Sequence, residues 1–223
     1  MKIINALLHL FAPDICVSCN KEGSVLCEVC SISSGYPDRC YVCKKPSPSS
    51  LTCQKCKKHT ALSAVYVASI YADSSKDLVH KAKYASSRSA ARKMGTLLEK
   101  HLPYLDQELV MVSHVPTTPS RVRERGFDQS LYVTQALCAP SKLLHAPLLR
   151  RLTNSHQVGS TRKERIRHMV DAFEVTKVEM VRGKTVLLVD DVLTTGATIE
   201  AAARAIKKAG AKRVLGAVFA RVE

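Results

Sequence analysis

The sequence predicts an α/β protein with a mostly parallel sheet and flanking helices, preceded by a small metal-binding module. Beyond residue 60, apolar segments of strand length alternate with segments of helical periodicity, the pattern of parallel α/β folds. Before residue 60, eight of the 9 cysteines form four C-x-x-C pairs. We therefore expect residues 1–60 to form an N-terminal helix with the metal module, and residues 61–223 to form the α/β domain.

The first half of the α/β domain contains two predicted strands. "ALSAVYVASIYA" (61–72) has the apolar, β-branched composition of a strand, and the polar segments after it, up to about Leu102, favour one or two helices. "ELVMVSHVP" (108–116) predicts a second strand, which Pro116 ends. A helix is expected to begin near residues 127–129 and to continue through "SLYVTQAL" (130–137).

The second half contains the most apolar strand of the chain. "KTVLLVD" (184–190) is rich in β-branched residues and bounded by polar ones, as expected of a central parallel strand. The helix after it has Ile199, Ala202 and Ile206 on one face and ends at Gly210. "KRVLGAVFARV" (212–222) predicts the last strand.

Composition favours a polyanionic partner. The 223 residues include 34 Lys and Arg against 19 Asp and Glu, a formal net charge of +15. Such a balance suits nucleic acid, a phosphorylated metabolite or an acidic membrane surface, although a solvated basic surface has the same composition. With no Trp and 5% aromatic residues, the chain has few platforms on which single-stranded bases could stack.

The N-terminal segment "MKIINALLHLFAPDIC" differs from a secretory signal peptide. Its apolar stretch is short, and the residues before Cys16 are not the small ones of a cleavage site. We expect a short amphipathic helix that docks on the body of the protein. Its apolar face consists of Ile3, Ile4, Leu7, Leu8 and Phe11. No apolar run is long enough to span a bilayer, and a cytoplasmic location is predicted.

The paired cysteines predict two structural zinc sites. Each C-x-x-C pair offers two thiolates to one tetrahedral ion, so four pairs suit two ions. The ligands are Cys16, Cys19, Cys27 and Cys30, followed by Cys40, Cys43, Cys53 and Cys56. Sequential pairing closes the shortest loops and is favoured, while interleaved pairing stays open. Redox activity of one pair is the weaker alternative because no thioredoxin-like context surrounds it. Cys138 ends an apolar helical stretch and is expected to be a core thiol.

Two adjacent carboxylates and a hydroxyl-rich segment follow the apolar strand. Ligands of open α/β sheets bind at the carboxyl ends of strands, where Asp190 and Asp191 are expected. Neighbouring residues of a strand point to opposite faces, so both could face one ligand only where the strand gives way to a loop. The doublet suits a ribose diol, and "TTGAT" (194–198), opening a helix, suits a monophosphate. A divalent cation site and a plain acidic helix entrance are the alternatives.

"VLLVDDVLTTGAT" (186–198) resembles the phosphoribosyl pyrophosphate (PRPP) motif of type I phosphoribosyltransferases. The resemblance implies that fold, with Asp190 and Asp191 as the catalytic pair that binds the ribose hydroxyls. It implies PRPP with Mg²⁺ as ligand. The residues implied for its 5′-phosphate are Thr194, Thr195, Gly196, Ala197 and Thr198.

Further segments resemble the ComF family, which joins a double zinc ribbon to a phosphoribosyltransferase domain. They are "LVHKAKYASS" (78–87), "HVPTTPSRVRERGFDQS" (114–130), "HQVGSTRKERIRHMVDAF" (156–173) and the cysteine-rich front. Asp128 stands where the family usually has Asn, and Ser160 where it usually has Leu. The resemblance implies a cytoplasmic role in natural transformation, with single-stranded DNA and the DNA-uptake motor as partners.

A basic belt lies between residues 121 and 167, with ten basic residues against three acidic ones. Guanidinium groups suit oxyanions, and we expect Lys83, Arg121 and Arg125 to bind the pyrophosphate of PRPP. The resemblance adds Pro116 and Thr117 of the "VPTT" loop. One small ligand cannot use ten charges, so the excess could bind a DNA backbone.

Two functions are weighed. The first is a PRPP-binding protein of DNA uptake, and the second is an active phosphoribosyltransferase of nucleotide salvage with an unidentified acceptor. A zinc-ribbon nucleic-acid binder with a vestigial transferase fold is the weakest because the ribose and phosphate residues are intact. No segment is evident that would form a hood to recognise an acceptor.

Overall fold

A computed structural model describes residues 13–31, 35–152 and 172–223. The predicted N-terminal helix, with its apolar face, lies outside the described residues. So do four basic residues of the belt, Arg162, Lys163, Arg165 and Arg167, and most of the segment 156–173.

Five parallel strands form the main sheet, in the order β1-β7-β6-β2-β3. The strands are β1 (Ala64–Ile70), β2 (Val110–His114), β3 (Leu144–His145), β6 (Thr185–Leu193) and β7 (Arg213–Arg221). The predicted central strand is the middle one, and Val186 through Val189 are fully buried in it. The mostly parallel sheet is therefore confirmed. Strand β3 has two residues and escaped prediction because it is too short to show a periodicity.

Helices cover both faces of the sheet. They are α1 (Gln54–Lys57), α2 (Asp73–Tyr84), α3 (Arg88–Glu99), α4 (Pro119–Arg125), α5 (Gln129–Ser141), α6 (Val178–Val181) and α7 (Ala197–Lys208). The longer helices α2, α3 and α5 pack on one face, and α7 packs on the other. Helices α3 and α5 approach closely because Gly95 has no side chain; a Cβ there would lie 2.1 Å from the carbonyl oxygen of Val133.

A second, two-stranded sheet lies outside the main one. Strands β4 (Leu149–Arg151) and β5 (Phe173–Val175) pair antiparallel beside α7. Their three residues each give no alternation from which a strand could be predicted, and the short helices α1, α4 and α6 were missed for the same reason. Within the three described ranges, no helix combines the length and the apolar character that a bilayer crossing requires.

Candidate functional site

The acidic doublet lies where the sheet narrows. Pairing between β2 and β6 ends at His114 and Val189, whereas pairing between β6 and β7 continues to Leu193. Asp190 and Asp191 therefore lie inside strand β6, and the prediction that the strand gives way to a loop at the doublet was wrong. Beyond His114, strand β2 no longer lies beside β6. The two carboxylates can therefore reach one ligand past this open edge of β6, even though they point to opposite faces.

Asp191 faces the side of the sheet that helix α2 covers. Lys83 of α2 donates from Nζ to Oδ1 of Asp191 at 3.1 Å. The two side chains are 22% and 14% exposed, so the pair is only partly screened by water. The structure thus brings one predicted pyrophosphate ligand, Lys83, directly to the predicted ribose ligand.

Asp190 faces the α7 side and is strongly perturbed. Burial and the neighbouring charge of Asp191 raise its pKa to about 7, although the N–H of Asp191 and the charge of Lys83 oppose this. The Asp190 Oδ1 atom accepts from the backbone N of Asp191 at 2.9 Å and from Oγ of Ser130 at 3.4 Å. Ser130 is the second residue of helix α5. The sequence analysis missed it because nothing in the sequence links it to Asp190, sixty positions away.

Residues 194–198, here called the phosphate loop, connect β6 to helix α7. Gly196 precedes α7 with φ +79°, and no side chain caps the helix. Thr194, Thr195 and Thr198 are exposed, and Oγ1 of Thr195 accepts from the backbone N of Ala197 at 3.3 Å. A helix N-terminus surrounded by hydroxyl groups is a favourable environment for a phosphate.

Asp190 and the phosphate loop line one small cavity of about 20 Å³. Its wall consists of Asp190, Val192, Leu193, Thr194, Gly196, Ala197, Thr198, Ile199 and Val218. A carboxylate and the start of a helix in one lining match a molecule that carries hydroxyls and a phosphate.

The "VPTT" loop follows β2 and is tied to helix α5. The backbone N of Thr117 donates to Oδ2 of Asp128 at 3.1 Å, while Oδ1 of Asp128 caps α5 by accepting from Ser130 N at 3.0 Å. Both carboxylate oxygens of Asp128 are thus acceptors. An Asn has one acceptor oxygen and could not make both bonds, which gives a structural reason for the departure from the ComF pattern at this position.

The predicted arginines differ in their placement. Arg121 is exposed on α4, and its charge acts on Arg151 of β4, as does the charge of Asp190. Burial, followed by the charge of Arg121, lowers the pKa of Arg151. Arg125 instead donates to Oε1 of Gln129 at 3.3 Å. Arg151 belongs to the basic belt, but the sequence analysis did not single it out. In the sequence nothing distinguishes it from its neighbour Arg150.

A pair of histidines lies at the end of β2 and was missed. Nδ1 of His114 and Nε2 of His145 are 3.2 Å apart. Burial, followed by the charges of His114 and Lys177, lowers the pKa of His145 to about 4, so the pair is neutral at physiological pH. Each histidine alone is an ordinary core residue in the sequence, and only the β2–β3 pairing brings them together.

The cysteines form two groups of four, in sequential pairing. Within each group, the sulfur atoms all lie within 4.8 Å of one another. The groups are Cys16, Cys19, Cys27 and Cys30, here called the first cluster, and Cys40, Cys43, Cys53 and Cys56, here called the second cluster. The sequential pairing is confirmed. Cys138 is buried in the core with α3 and α5 and belongs to neither cluster.

The cluster geometry fits zinc. Tetrahedral sulfurs about 2.3 Å from one zinc ion lie about 3.8 Å from each other. The Cys19–Cys27 and Cys43–Cys53 sulfur distances are both 3.7 Å. A zinc ion at each cluster would stabilise the fold by cross-linking two knuckles.

The two clusters repeat one backbone motif. The backbone N of Asn20 donates to the carbonyl of Cys16 at 3.1 Å, and that of Lys44 donates to the carbonyl of Cys40 at 2.9 Å. Asn20 and Lys44 both have positive φ, near +60°. Such tight turns aim the N–H groups at the sulfurs. Although burial raises the pKa of Cys16, backbone donors lower it to about 6, which favours the thiolate that a metal requires.

Comparison with known proteins adds the family. A model of the phosphoribosyl transferase domain matches residues 140–222. Competence protein ComFC of Bacillus subtilis (strain 168) is 36% identical over 107 residues, 48% of this chain and 42% of that protein. DNA utilization protein YhgH of Escherichia coli (strain K12) is 26% identical over 224 residues, 92% of this chain and 96% of that protein. These matches support a ComF-family, phosphoribosyltransferase-like protein.

The matches cover different shares of the length of the ComFC and YhgH proteins. ComFC of Streptococcus pneumoniae is 27% identical over 145 residues, 65% of this chain and 62% of that protein. The match therefore spans less than two thirds of the length of both ComFC proteins, and most of the length of YhgH.

Two solved structures are also similar. The allosteric regulatory enzyme of purine biosynthesis is 17% identical, with a TM-score of 0.44 over 59% of this chain and 25% of that one. Glutamine PRPP amidotransferase from B. subtilis is 18% identical, with a TM-score of 0.43 over 58% of this chain and 26% of that one.

The domain match and the mostly parallel sheet with flanking helices confirm the predicted type I phosphoribosyltransferase fold, and the two cysteine clusters fit a double zinc ribbon. The matched transferase domain contains β6, the phosphate loop and β7, while the two cysteine clusters precede it in the chain. The doublet and the phosphate loop both fall within the family match.

Proposed function

We propose that this ComF-family protein binds PRPP and acts in the cytoplasm on single-stranded DNA taken up in natural transformation. The observation that carries PRPP binding is the single cavity lined by Asp190 and the phosphate loop. PRPP carries both ribose hydroxyls and a 5′-phosphate, the groups that such a lining suits, and few other metabolites combine the two with a pyrophosphate.

Each part of PRPP has a proposed partner. Asp190 and Asp191 accept from the ribose hydroxyls, and residues Thr194 through Thr198 bind the 5′-phosphate. Lys83, already 3.1 Å from Asp191, reaches the pyrophosphate side of the ribose together with Arg121. Pro116 and Thr117 form the wall of that side, and Arg125 supports it from α4. Mg²⁺ bound with PRPP would neutralise part of the pyrophosphate charge.

We further propose that both clusters hold zinc, and that the chain divides at residue 60 into a double zinc ribbon with its N-terminal helix and a phosphoribosyltransferase-like domain. The sulfur distances support zinc. The four reduced pairs support a cytoplasmic location, because such cysteines persist as thiols in a reducing compartment.

Isothermal titration calorimetry with Mg-PRPP tests the site. We expect the wild-type protein to bind, and Asp190→Ala/Asp191→Ala to lose at least about tenfold in affinity, since two charge-assisted hydrogen bonds are removed. Asp77→Ala, an exposed carboxylate of helix α2 with no hydrogen bond in the described chain, is the control. Equal affinity in the double variant and the control would refute the assignment.

Two observations support the DNA role. The names of the relatives, a competence protein and a DNA utilization protein, associate those proteins with DNA. In this chain, Arg123 and Lys142 are exposed basic residues of the belt, and neither forms an ion pair within the described ranges. Unpaired surface charges of this kind release counterions from a nucleic acid backbone. A DNA-uptake motor protein is the proposed protein partner.

Fluorescence anisotropy with a labelled oligothymidylate, over a salt series, tests DNA binding. We expect log K to fall linearly with log salt, with a slope of roughly −0.7 for each phosphate contacted. Arg123→Glu/Lys142→Glu should flatten the slope, whereas Lys100→Glu, at the far end of helix α3, should change it little. Absence of binding by the wild type at low salt, with and without PRPP, would favour a metabolic enzyme.

The raised pKa of Asp190 favours a second candidate, phosphoribosyl transfer to an unidentified acceptor. A carboxyl group with a pKa of about 7 is suited to proton transfer near neutral pH. An acceptor nitrogen would form a bond to C1 of the ribose while the bond from C1 to pyrophosphate breaks, and Asp190 would take the acceptor proton. Release of pyrophosphate from Mg-PRPP that requires a nucleobase or amine would support this candidate, and stable Mg-PRPP in their presence would contradict it.

A further inference from the structure

The second cluster is tied to helix α7 through the carboxylate of Glu200. This residue lies in the first turn of α7, directly after the phosphate loop. Its Oε2 accepts from the hydroxyl groups of Tyr41 at 2.8 Å and of Thr60 at 2.5 Å. Its Oε1 accepts from the backbone N of Ala61 at 3.0 Å and pairs with Arg204 Nε at 2.9 Å.

The donors to Glu200 belong to the frame of the second cluster. Tyr41 immediately follows the ligand Cys40, and Thr60 follows the ligand Cys56 by four residues. Tyr41 and Thr60 also contact each other through their hydroxyl groups. A metal ion bound by the second cluster would therefore hold in place both hydroxyl donors to Glu200. Tyr41 is next to the first ligand of the cluster, and Thr60 is close to the last one.

Tyr41 also packs against the phosphate loop, next to Gly196. Its ring lies 3.5 Å from the point where a Cβ of Gly196 would be, and its side chain is 7% exposed. The ring packs in the same core as Leu193 and Ile199, which flank the loop. The carbonyl of Tyr41 accepts from the guanidinium of Arg221 at 2.8 Å, which fastens it to strand β7.

The charge of Glu200 makes this arrangement unusual for a phosphate site. A carboxylate one turn from the loop opposes a bound phosphate unless it is neutralised. Here Arg204 and three neutral donors satisfy it, and its side chain is 18% exposed. An alanine at position 200 would not repel a bound phosphate. We therefore explain the carboxylate by the hydrogen bonds that it accepts from Tyr41, Thr60 and Ala61.

We propose that Tyr41 and Glu200 are positioning residues, which hold the phosphate loop in its binding conformation and make PRPP affinity depend on metal in the second cluster. The inference rests on the proposed PRPP site and adds its regulation. The first cluster has a different neighbour, since the carbonyl of Ile15 accepts from Lys81 of helix α2 at 2.8 Å, and Asp14 binds Ser89 of α3. Loss of the first cluster removes none of the hydrogen bonds to Glu200, so it should not increase the local opening of α7, even though it lowers the stability of the whole chain.

Amide hydrogen exchange tests, without any ligand, whether the second cluster stabilises the start of helix α7 through Glu200; this connection is here called the tie. The amides of residues 200–203 are the first of α7 with helical hydrogen bonds to the preceding turn. In the zinc-loaded full chain, Cys43→Ser should speed their exchange by about tenfold, whereas Cys19→Ser, the equivalent ligand of the first cluster, should not. Equal exchange in these two variants would overturn the tie.

Because a ligand substitution can unfold the chain, two milder variants carry the same test. Tyr41→Phe and Glu200→Gln leave all eight cysteines in place, and native mass spectrometry checks that zinc remains. Both should speed exchange at residues 200–203 while Tyr104→Phe and Glu179→Gln, exposed residues given the same chemical change, should not. Wild-type exchange in both milder variants would also overturn the tie.

Calorimetry with Mg-PRPP separates the inference from the function on which it rests. We expect Tyr41→Phe and Glu200→Gln to bind PRPP about five- to tenfold more weakly than the two controls, the usual range of coupling between sites. Binding by the wild type with unchanged affinity in both variants would overturn the inference alone. No binding by the wild type would overturn the proposed function, and with it the role of the tie in PRPP affinity.

Discussion

Asp190 and Asp191 are neighbours with different electrostatic environments. Asp191 has Lys83 as a counter-ion at 3.1 Å, whereas Asp190 has only the Ser130 hydroxyl and a backbone N–H as donors. Burial and the charge of Asp191 raise the pKa of Asp190 to about 7. Asp190 therefore titrates close to physiological pH.

This difference predicts a pH-dependent affinity for PRPP. Between pH 6 and pH 8, affinity should rise by up to about tenfold, because Asp190 accepts ribose hydroxyls best when ionised. Calorimetry across this range measures the rise. Asp190→Asn should lack it, apart from the slope that titration of the PRPP phosphates gives to both proteins. A wild-type profile parallel to that of the variant would show that another group is responsible.

The same carboxyl group should lower stability at high pH. Its pKa is about 7 in the folded protein against an ordinary value of 3.8, so the folded state binds more protons between these values. Stability from this group is complete below pH 3.8 and is lost as pH rises through about 7. Asp190→Asn should thus increase the free energy of unfolding by roughly 1–2 kcal/mol at pH 8 and much less at pH 4.5. Urea unfolding at the two pH values measures this, and equal effects would contradict it.

At the scale of elements, the junction between strand β6 and helix α7 concentrates the constraints. Gly196 has a left-handed backbone at φ +79°, and a Cβ there would lie 3.4 Å from Leu193 and 3.5 Å from Tyr41. The junction therefore requires the backbone freedom of glycine, whereas an added Cβ would make only ordinary van der Waals contacts. At the start of the helix after it, the backbone N of Ala197 donates to Oγ1 of Thr195.

Gly196→Ala should weaken PRPP binding more than it lowers stability. The left-handed backbone costs Ala about 1–2 kcal/mol, which lowers the melting temperature by a few degrees. Gly183→Ala is the matched control, because φ there is +73° and no atom lies within 4 Å of the added Cβ. We expect similar melting temperatures, measured by calorimetry, but at least about tenfold weaker PRPP binding in Gly196→Ala only. Equal affinities would exclude the loop from the site.

At the scale of the molecule, the cysteine clusters belong to the cores on both faces of the sheet. Cys16 and Leu26 are fully buried in the core that contains α2, α3 and α5. Tyr41, beside Cys40, is buried in the core that contains α7. The proposed division at residue 60 therefore separates two parts that share their packing, so that metal loss should affect the whole protein.

Removal of zinc should destabilise the chain as one cooperative unit. With excess chelator under reducing conditions, we expect a single transition and a melting temperature lower by about 10 °C or more, since each structural site contributes several kcal/mol. Differential scanning calorimetry with the chelator provides the measurement. Cys138→Ala, which removes a buried thiol outside both clusters, should retain two zinc ions and the chelator response. A second transition that the chelator does not affect would mean that the α/β domain folds independently.

Local chemistry made part of this protein predictable. The four C-x-x-C pairs predict their own knuckles, because each knuckle is one turn of a few residues. The central strand β6 was predicted from its unbroken apolar run, and the phosphate loop from a Thr/Gly segment that opens a helix. The short strands β3, β4 and β5 were not, because two or three residues show no period.

The sequence alone determined the parallel sheet, the eight metal-binding cysteines and the acidic doublet before the phosphate loop, because short-range periodicity and spacing encode them. Only the tertiary structure decided which side chains meet across the chain. Lys83 joins Asp191 over 108 positions, and Tyr41 joins Glu200 over 159. Periodicity tells which face of an element is buried but not which element covers it, so the partners of these residues follow from the packing of the complete fold.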